Sequence, residues 1–170
     1  MTLALVLGLG GCGGMPMLGG GDREIPMEQV DQTIKTQLPK TARASYGTVK
    51  LLTVTLQPGS QPERMDILAK FILVSYEIPE GIEGVLSFDG TLRYDPKSRA
   101  LYPADLQPQK LTFANPSLEE YISASARQGL PKTLAALLRT IPVERLPQGF
   151  AARKVSKASI VKEKLIVDFD

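Results

Sequence analysis

Between Tyr46 and Thr112 apolar residues recur at every second position, and turn-forming residues interrupt the run at regular intervals. A period of two sends successive side chains to opposite faces of a pleated strand, whereas a helix returns to one face only every third or fourth residue. The stretch is therefore expected to form strands, and its short connections make sequential strands neighbours in an antiparallel meander. Gly47 to Gln57 predicts a strand with Leu52, Val54 and Leu56 on one side, ended by the turn residues of Pro58 to Pro62. Gly84 to Asp95 alternates most regularly. Leu86, Phe88, Leu92 and Tyr94 share one face, and Ser87, Asp89, Thr91 and Arg93 the other, so one side packs and the other meets water. Asp95-Pro96-Lys97-Ser98 fits a tight turn, with Asp first and Pro presetting φ at the second position. The chain returns through Ala100 to Phe113, where Pro103 and Pro108 mark an edge strand or breaks in the ladder.

Met65 to Ile78 departs from simple alternation. Ile67, Ala69, Phe71 and Leu73 alternate with Leu68, Ile72, Val74, Tyr76 and Ile78, and both faces are apolar. Such a strand is either covered on both sides or turns one face to something the chain alone does not supply.

Helices flank the meander. Pro26 suits a first helical turn, Glu28 sits near the positive end of the dipole, and Met27, Val30, Ile34 and Leu38 share a face up to Pro39. Lys40 to Ser45 reads as a polar connection. Asn115-Pro116 opens a second helix, Asn as cap and Pro at the first position, with Glu119 and Glu120 in its first turn. Leu118, Tyr121, Ile122 and Ser125 are expected on its inner face. Gly129 and Pro131 are expected to end or kink it before a further segment carrying Leu134, Leu137, Leu138 and Ile141. Pro142 to Pro147 reads as extended. Ser159 to Val161 and Lys164 to Phe169 read as a terminal hairpin turning at Lys162-Glu163, without the Gly or Asn such turns favour. The expected class is α+β: an antiparallel meander wrapped around a long interrupted helix, with a short helix before it.

The N-terminus carries an address. Leu9-Gly10-Gly11-Cys12 follows the apolar run Leu3 to Leu9 and reads as a lipobox, with small residues where a signal peptidase needs room. Residues 1–11 are then a lipoprotein signal peptide, Cys12 the acylated (palmitate-bearing) residue and 12–24 a Gly-rich tether, leaving 25–170 as a single domain. Met1-Thr2 departs from the usual pattern in lacking Lys or Arg. The apolar run is too short to span a bilayer as a helix. Two or more acyl chains hold a protein stably at a membrane, each buried methylene contributing about 0.8 kcal/mol. Gly13 rather than Asp follows the cysteine, which by likeness to Gram-negative lipoproteins leaves sorting to the outer membrane open.

Composition removes several classes of chemistry. The chain has no His and one Cys, so His-dependent triads, Cys nucleophiles and zinc sites lack their residues. No Walker sequence occurs, and the N-terminal glycines do not precede Gly-Lys-Ser or Gly-Lys-Thr. Glu119 and Glu120 are adjacent and splay apart on a helix. No enzyme activity, metal or cofactor is expected. A net charge of +2, with 6% aromatics and no Trp, argues against a nucleic-acid partner. Arg153, Lys154, Lys157, Lys162 and Lys164, relieved only by Glu163, are either a contact for anionic headgroups or a solvated, edge-protecting face.

The lipobox, the early helix Ile25-Pro26-Met27-Glu28-Gln29-Val30, the strand Gly84 to Leu92 running on through Tyr102, the helical Leu134 to Ile141 leading into Pro142-Val143-Glu144-Arg145-Leu146, and the ending Ile166-Val167-Asp168-Phe169 together resemble the YceB-type bacterial lipoproteins. The resemblance covers roughly Ile25 to Asp170. It implies a fold similar to the tubular lipid-binding superfamily that includes the bactericidal permeability-increasing protein, in which a curved antiparallel sheet wraps a helix and leaves an apolar channel. It brings no ligand motif of its own.

Periodicity then proposes the lining of such a groove: Phe71, Leu73, Leu86, Phe88, Leu92 and Tyr94 from strands, with Leu118, Tyr121, Ile122, Leu134, Leu137 and Leu138 from helices. The expected function is a membrane-anchored envelope lipoprotein, at the periplasmic face of the outer membrane, that binds an acyl chain or other elongated hydrophobic ligand. The rival is an accessory lipoprotein with a closed core that docks an envelope protein.

Overall fold

The computed structural model describes residues 22–148 and 154–170. The signal peptide 1–11, Cys12, the tether up to residue 21 and Arg153 lie outside the described residues. The fold is mixed α+β, dominated by antiparallel sheets. Its elements are β1 (Arg23–Pro26), α1 (Met27–Lys35), β2 (Lys40–Ala44), β3 (Gly47–Pro58), β4 (Met65–Val74), β5 (Ile82–Asp95), β6 (Ala100–Phe113), α2 (Pro116–Glu119), α3 (Ala124–Leu138), β7 (Glu144–Arg145), β8 (Val155–Val161) and β9 (Lys164–Phe169).

The period-two stretch forms the centre of a six-stranded sheet ordered β2-β3-β4-β5-β6-β7. On β4 the set Met65, Ile67, Ala69, Phe71 and Leu73 is buried, while Leu68, Lys70 and Ile72 are half-buried on the other face and Val74 is exposed. Only one face of that strand is thus sealed. β5 buries Leu86 and Phe88 as its alternation predicts. The Asp95 turn forms as expected, its carboxylate accepting from the Lys97 and Ser98 amides and the Ser98 hydroxyl. β6 pairs with β7 only at Ala100 and Leu101, so Pro103 and Pro108 sit where their missing N–H groups cost no ladder bond on that free side.

The inward set of β3 differs from expectation. Val49 and Leu51 are buried, then Val54 and Leu56, because the register against β4 slips between Leu51 and Thr53. Leu52 is the extra residue of that bulge and is half-buried. One inserted residue exchanges the two faces of a strand, which is why both parities of this segment carry apolar residues.

Other departures have equally local causes. Lys40 to Ala44 is a strand rather than a connection, paired along its length with Gly47 to Leu51. Arg23 and Glu24 begin β1, so the folded part starts inside the segment read as tether. β1 joins the terminal hairpin in a second sheet ordered β1-β9-β8. The long helix is interrupted at Ser123, not at Gly129 or Pro131. Asn115 caps the short α2 and Ser123 caps α3, accepting from Ala126 N–H at 3.2 Å, and α3 runs through both suspected breakers.

α3 packs on β2, β3 and β6, while α1 touches β1, β3, β7 and β9, and β8 touches β3 and β5. These layers enclose one apolar cluster that extends from Ile25 in β1 to Val167 in β9. Phe71 and Phe113 meet edge to face at 6.0 Å within it, a geometry worth about 0.5–1.5 kcal/mol beyond burial. Gly84 makes room for that pair, since a Cβ there would stand 2.5 Å from the Phe71 ring.

Candidate functional site

The residues proposed as groove lining separate by burial. Phe71, Leu73, Leu86, Phe88, Leu134 and Leu138 are at most 1% exposed, and Ile122 is buried too. Leu92, Tyr94, Leu118 and Leu137 are half-buried and pack against the same core. The fold thus brings sheet and helix residues together as expected, but as packing partners. Tyr121 is the exception at 55% exposed. It lies in the turn after α2, where the chain breaks toward Ser123, and Ser125 is exposed as well. The expected inner face fails there because the helix axis is broken before that face is completed.

Three larger surface grooves are lined by other residues. The first, about 580 Å³, runs along the polar face of α1 beside Arg145. Much of its polar lining is used by the fold. Gln29 donates to the buried Glu144 carboxylate at 2.9 Å, and Thr33 and Thr36 hydroxyls donate back to helix carbonyls. The second, about 450 Å³, lies between the β2–β3 turn, Tyr76 and Ser123. Tyr46 in this groove donates to the Thr133 hydroxyl at 2.6 Å; burial pushes its phenol pKa up, against the opposing pull of that bond. Its ring lies on Gly129, where a Cβ would come within 2.3 Å, so helical glycine is here a packing requirement. Tyr76 itself is 97% exposed.

The third groove, about 390 Å³, opens where the sheet loses a strand. β2 covers β3 only as far as Leu51. Beyond it the edge of β3 is free, and the C-terminal half of α1 faces that edge. Leu38, Pro39, Leu52 and Val54 supply apolar lining, while Asp31, Lys35, Thr53 and Thr55 supply polar lining. Val54 and Leu38 also belong to, or pack against, the core cluster. The signal for this site was present in the adjacent Leu51-Leu52 pair, which breaks an otherwise strict alternation.

Elsewhere several charged groups are paired structurally. Lys157 meets Glu63 and Lys164 meets Glu24, so the C-terminal basic cluster is relieved by more than Glu163. The Asp168 carboxyl pKa is raised, first by desolvation and then by the hydrogen bond and charge of Asp22, with Lys157 opposing. Among the described residues no group of three or more His, Cys, Asp or Glu side chains could hold a metal ion, and no helix is long and apolar enough to cross a membrane.

No protein-family model matches the chain, and a search of curated proteins finds no match. Among solved structures, a crystal structure of lipopolysaccharide binding protein is similar at 10% identity and a TM-score of 0.36, over 87% of this chain and 40% of that one. The chain spans less than half the length of that protein.

Proposed function

We propose that this chain is a YceB-type lipoprotein of the bacterial envelope, anchored at the periplasmic face of the outer membrane through acylated Cys12, and that its domain binds an acyl chain or other elongated hydrophobic ligand. The ligand lies between the meander and the layers on its inner face, as in a tubular lipid-binding half-domain. The observation that carries this reading is the third groove: Val54 lines it and is also part of the core, so the groove has an apolar floor backed by the core. Affinity comes from burial, at about 25 cal/mol per Å² of apolar surface, and no covalent chemistry is involved. The test is native mass spectrometry of the full chain carrying Cys12→Ala, purified without detergent. Co-purified lipid is expected; its absence across independent preparations sinks the reading. The same variant is expected to leave the membrane fraction, and its retention after carbonate washing would exclude the acyl anchor.

A second reading, an accessory lipoprotein that docks an envelope protein, draws on two observations. The inner residues Phe71, Phe88 and Leu134 are sealed, and Tyr76 stands almost wholly in solvent.

A further inference from the structure

We infer that the groove between α1 and the free edge of β3 is the docking and headgroup site for a single-chain amphiphile with a zwitterionic headgroup, an inference that rests on the acyl-chain reading above.

The gap has a structural origin. Past Leu51, β3 keeps β4 as its partner and has lost β2, and the bulge at Leu52 falls at the same point. The sheet therefore steps back by one strand at the place where it also changes face. The groove so formed, about 390 Å³, falls within the roughly 300–1,000 Å³ of small-ligand sites. Its floor is apolar and rests on the core: Leu38 and Leu52 are half-buried and Val54 is 7% exposed. A methylene chain lying on this floor replaces water with apolar contact.

The rim selects the other end of the ligand. Asp31 and Lys35 are four residues apart on α1, which places their Cβ atoms about 5–6 Å apart on one face. They form no ion pair with each other or with any other described residue. One free carboxylate and one free ammonium, a single helical turn apart, complement a headgroup that carries both signs: the phosphate at Lys35 and the quaternary or primary ammonium at Asp31. A purely anionic amphiphile meets Asp31 and a purely cationic one meets Lys35, each unfavourably.

The probe is monomeric dodecylphosphocholine, below its micelle concentration, with the full chain carrying Cys12→Ala, followed by methyl NMR and calorimetry. Saturable binding is expected, with shifts at Leu38, Leu52 and Val54 and an affinity about tenfold above dodecanoate and dodecyltrimethylammonium. Lys35→Glu is expected to weaken dodecylphosphocholine about tenfold and to strengthen dodecyltrimethylammonium. Thr53→Trp, which fills the groove from an exposed position, is expected to block all three. Equal affinities for the three amphiphiles overturn the headgroup assignment. Shifts confined to Leu73 and Leu134, indifferent to Thr53→Trp, overturn the site while leaving the acyl-chain reading standing. Absence of binding by any of them, together with no recovered lipid, overturns both.

Discussion

Tyr94 carries a hydroxyl that burial strips of water without supplying a partner. An unsatisfied buried group of this kind opposes folding, so Tyr94→Phe, which keeps the ring and removes the orphan, is expected to raise stability by about 1 kcal/mol. Urea denaturation measures it, and a loss of stability would mean that the hydroxyl has a hydrogen-bond partner in solution. Two carboxylates respond to acid in opposite senses. Asp95 is lowered, mainly by the Ser98 hydroxyl and then by the Lys97 amide. Its contribution is therefore present above its ordinary value and lost as pH falls through the lower folded one. Asp168 is raised, mainly by desolvation and then by Asp22. Its contribution is present below its ordinary value and lost as pH rises through the folded one. Asp168→Asn is thus expected to melt higher than the parent protein at neutral pH, with the difference closing on acidification; a difference that stays constant with pH would contradict this. Residue periodicity found the interior, since Phe71, Leu86, Phe88, Leu134 and Leu138 are all buried. For the groove it offered only the Leu51-Leu52 break, which marks the bulge, because periodicity reports which side of a strand packs and not where a neighbouring strand stops.

At the scale of elements, the meander was legible because alternation and turn chemistry agree over most of Gly47 to Phe113, although β3 breaks phase at Leu52 and the apolar run read to Ile78 leaves the sheet after Val74. β2 was not, since Lys-Thr-Ala-Arg-Ala has no large apolar side chain and its extended state comes from pairing with β3. α3 was misread for the opposite reason. Pro131 removes the donor that would reach the carbonyl of Arg127, but Arg127 is exposed and water can take that place, so the helix continues. The last hairpin keeps its position despite its unfavourable turn. Lys162 and Glu163 both adopt left-handed backbone, at φ 48° and 60°, where L-residues pay about 1–2 kcal/mol each. Lys162→Asn with Glu163→Gly is accordingly expected to stabilise the protein by about 1 kcal/mol or more, read as a higher urea midpoint at unchanged slope. The Glu163 carbonyl, which accepts from Met27 N–H at 3.0 Å, survives the change because it is backbone. A lower midpoint would show that the native side chains contribute more than the strain costs.

For the whole molecule, the two sheets differ in how they are held. β4 and β5 have partners on both sides, whereas β1 is a four-residue edge strand. Local opening starts where few contacts must break. Amides of Ile67, Ala69, Phe71 and Leu86 are expected to exchange last, and those of Arg23 to Ile25 among the first; uniform protection in a hydrogen-exchange experiment would count against this hierarchy. The pairing of β1 with β9 has a mechanical side as well. Arg23 lies opposite Val167 and Pro26 opposite Lys164, so residues 22 and 170 leave the ladder from the same end. Tension between those ends opens the pairing like a zipper, one hydrogen bond after another, instead of loading all of them in shear. Under traction β1 therefore peels away from β9 at low force.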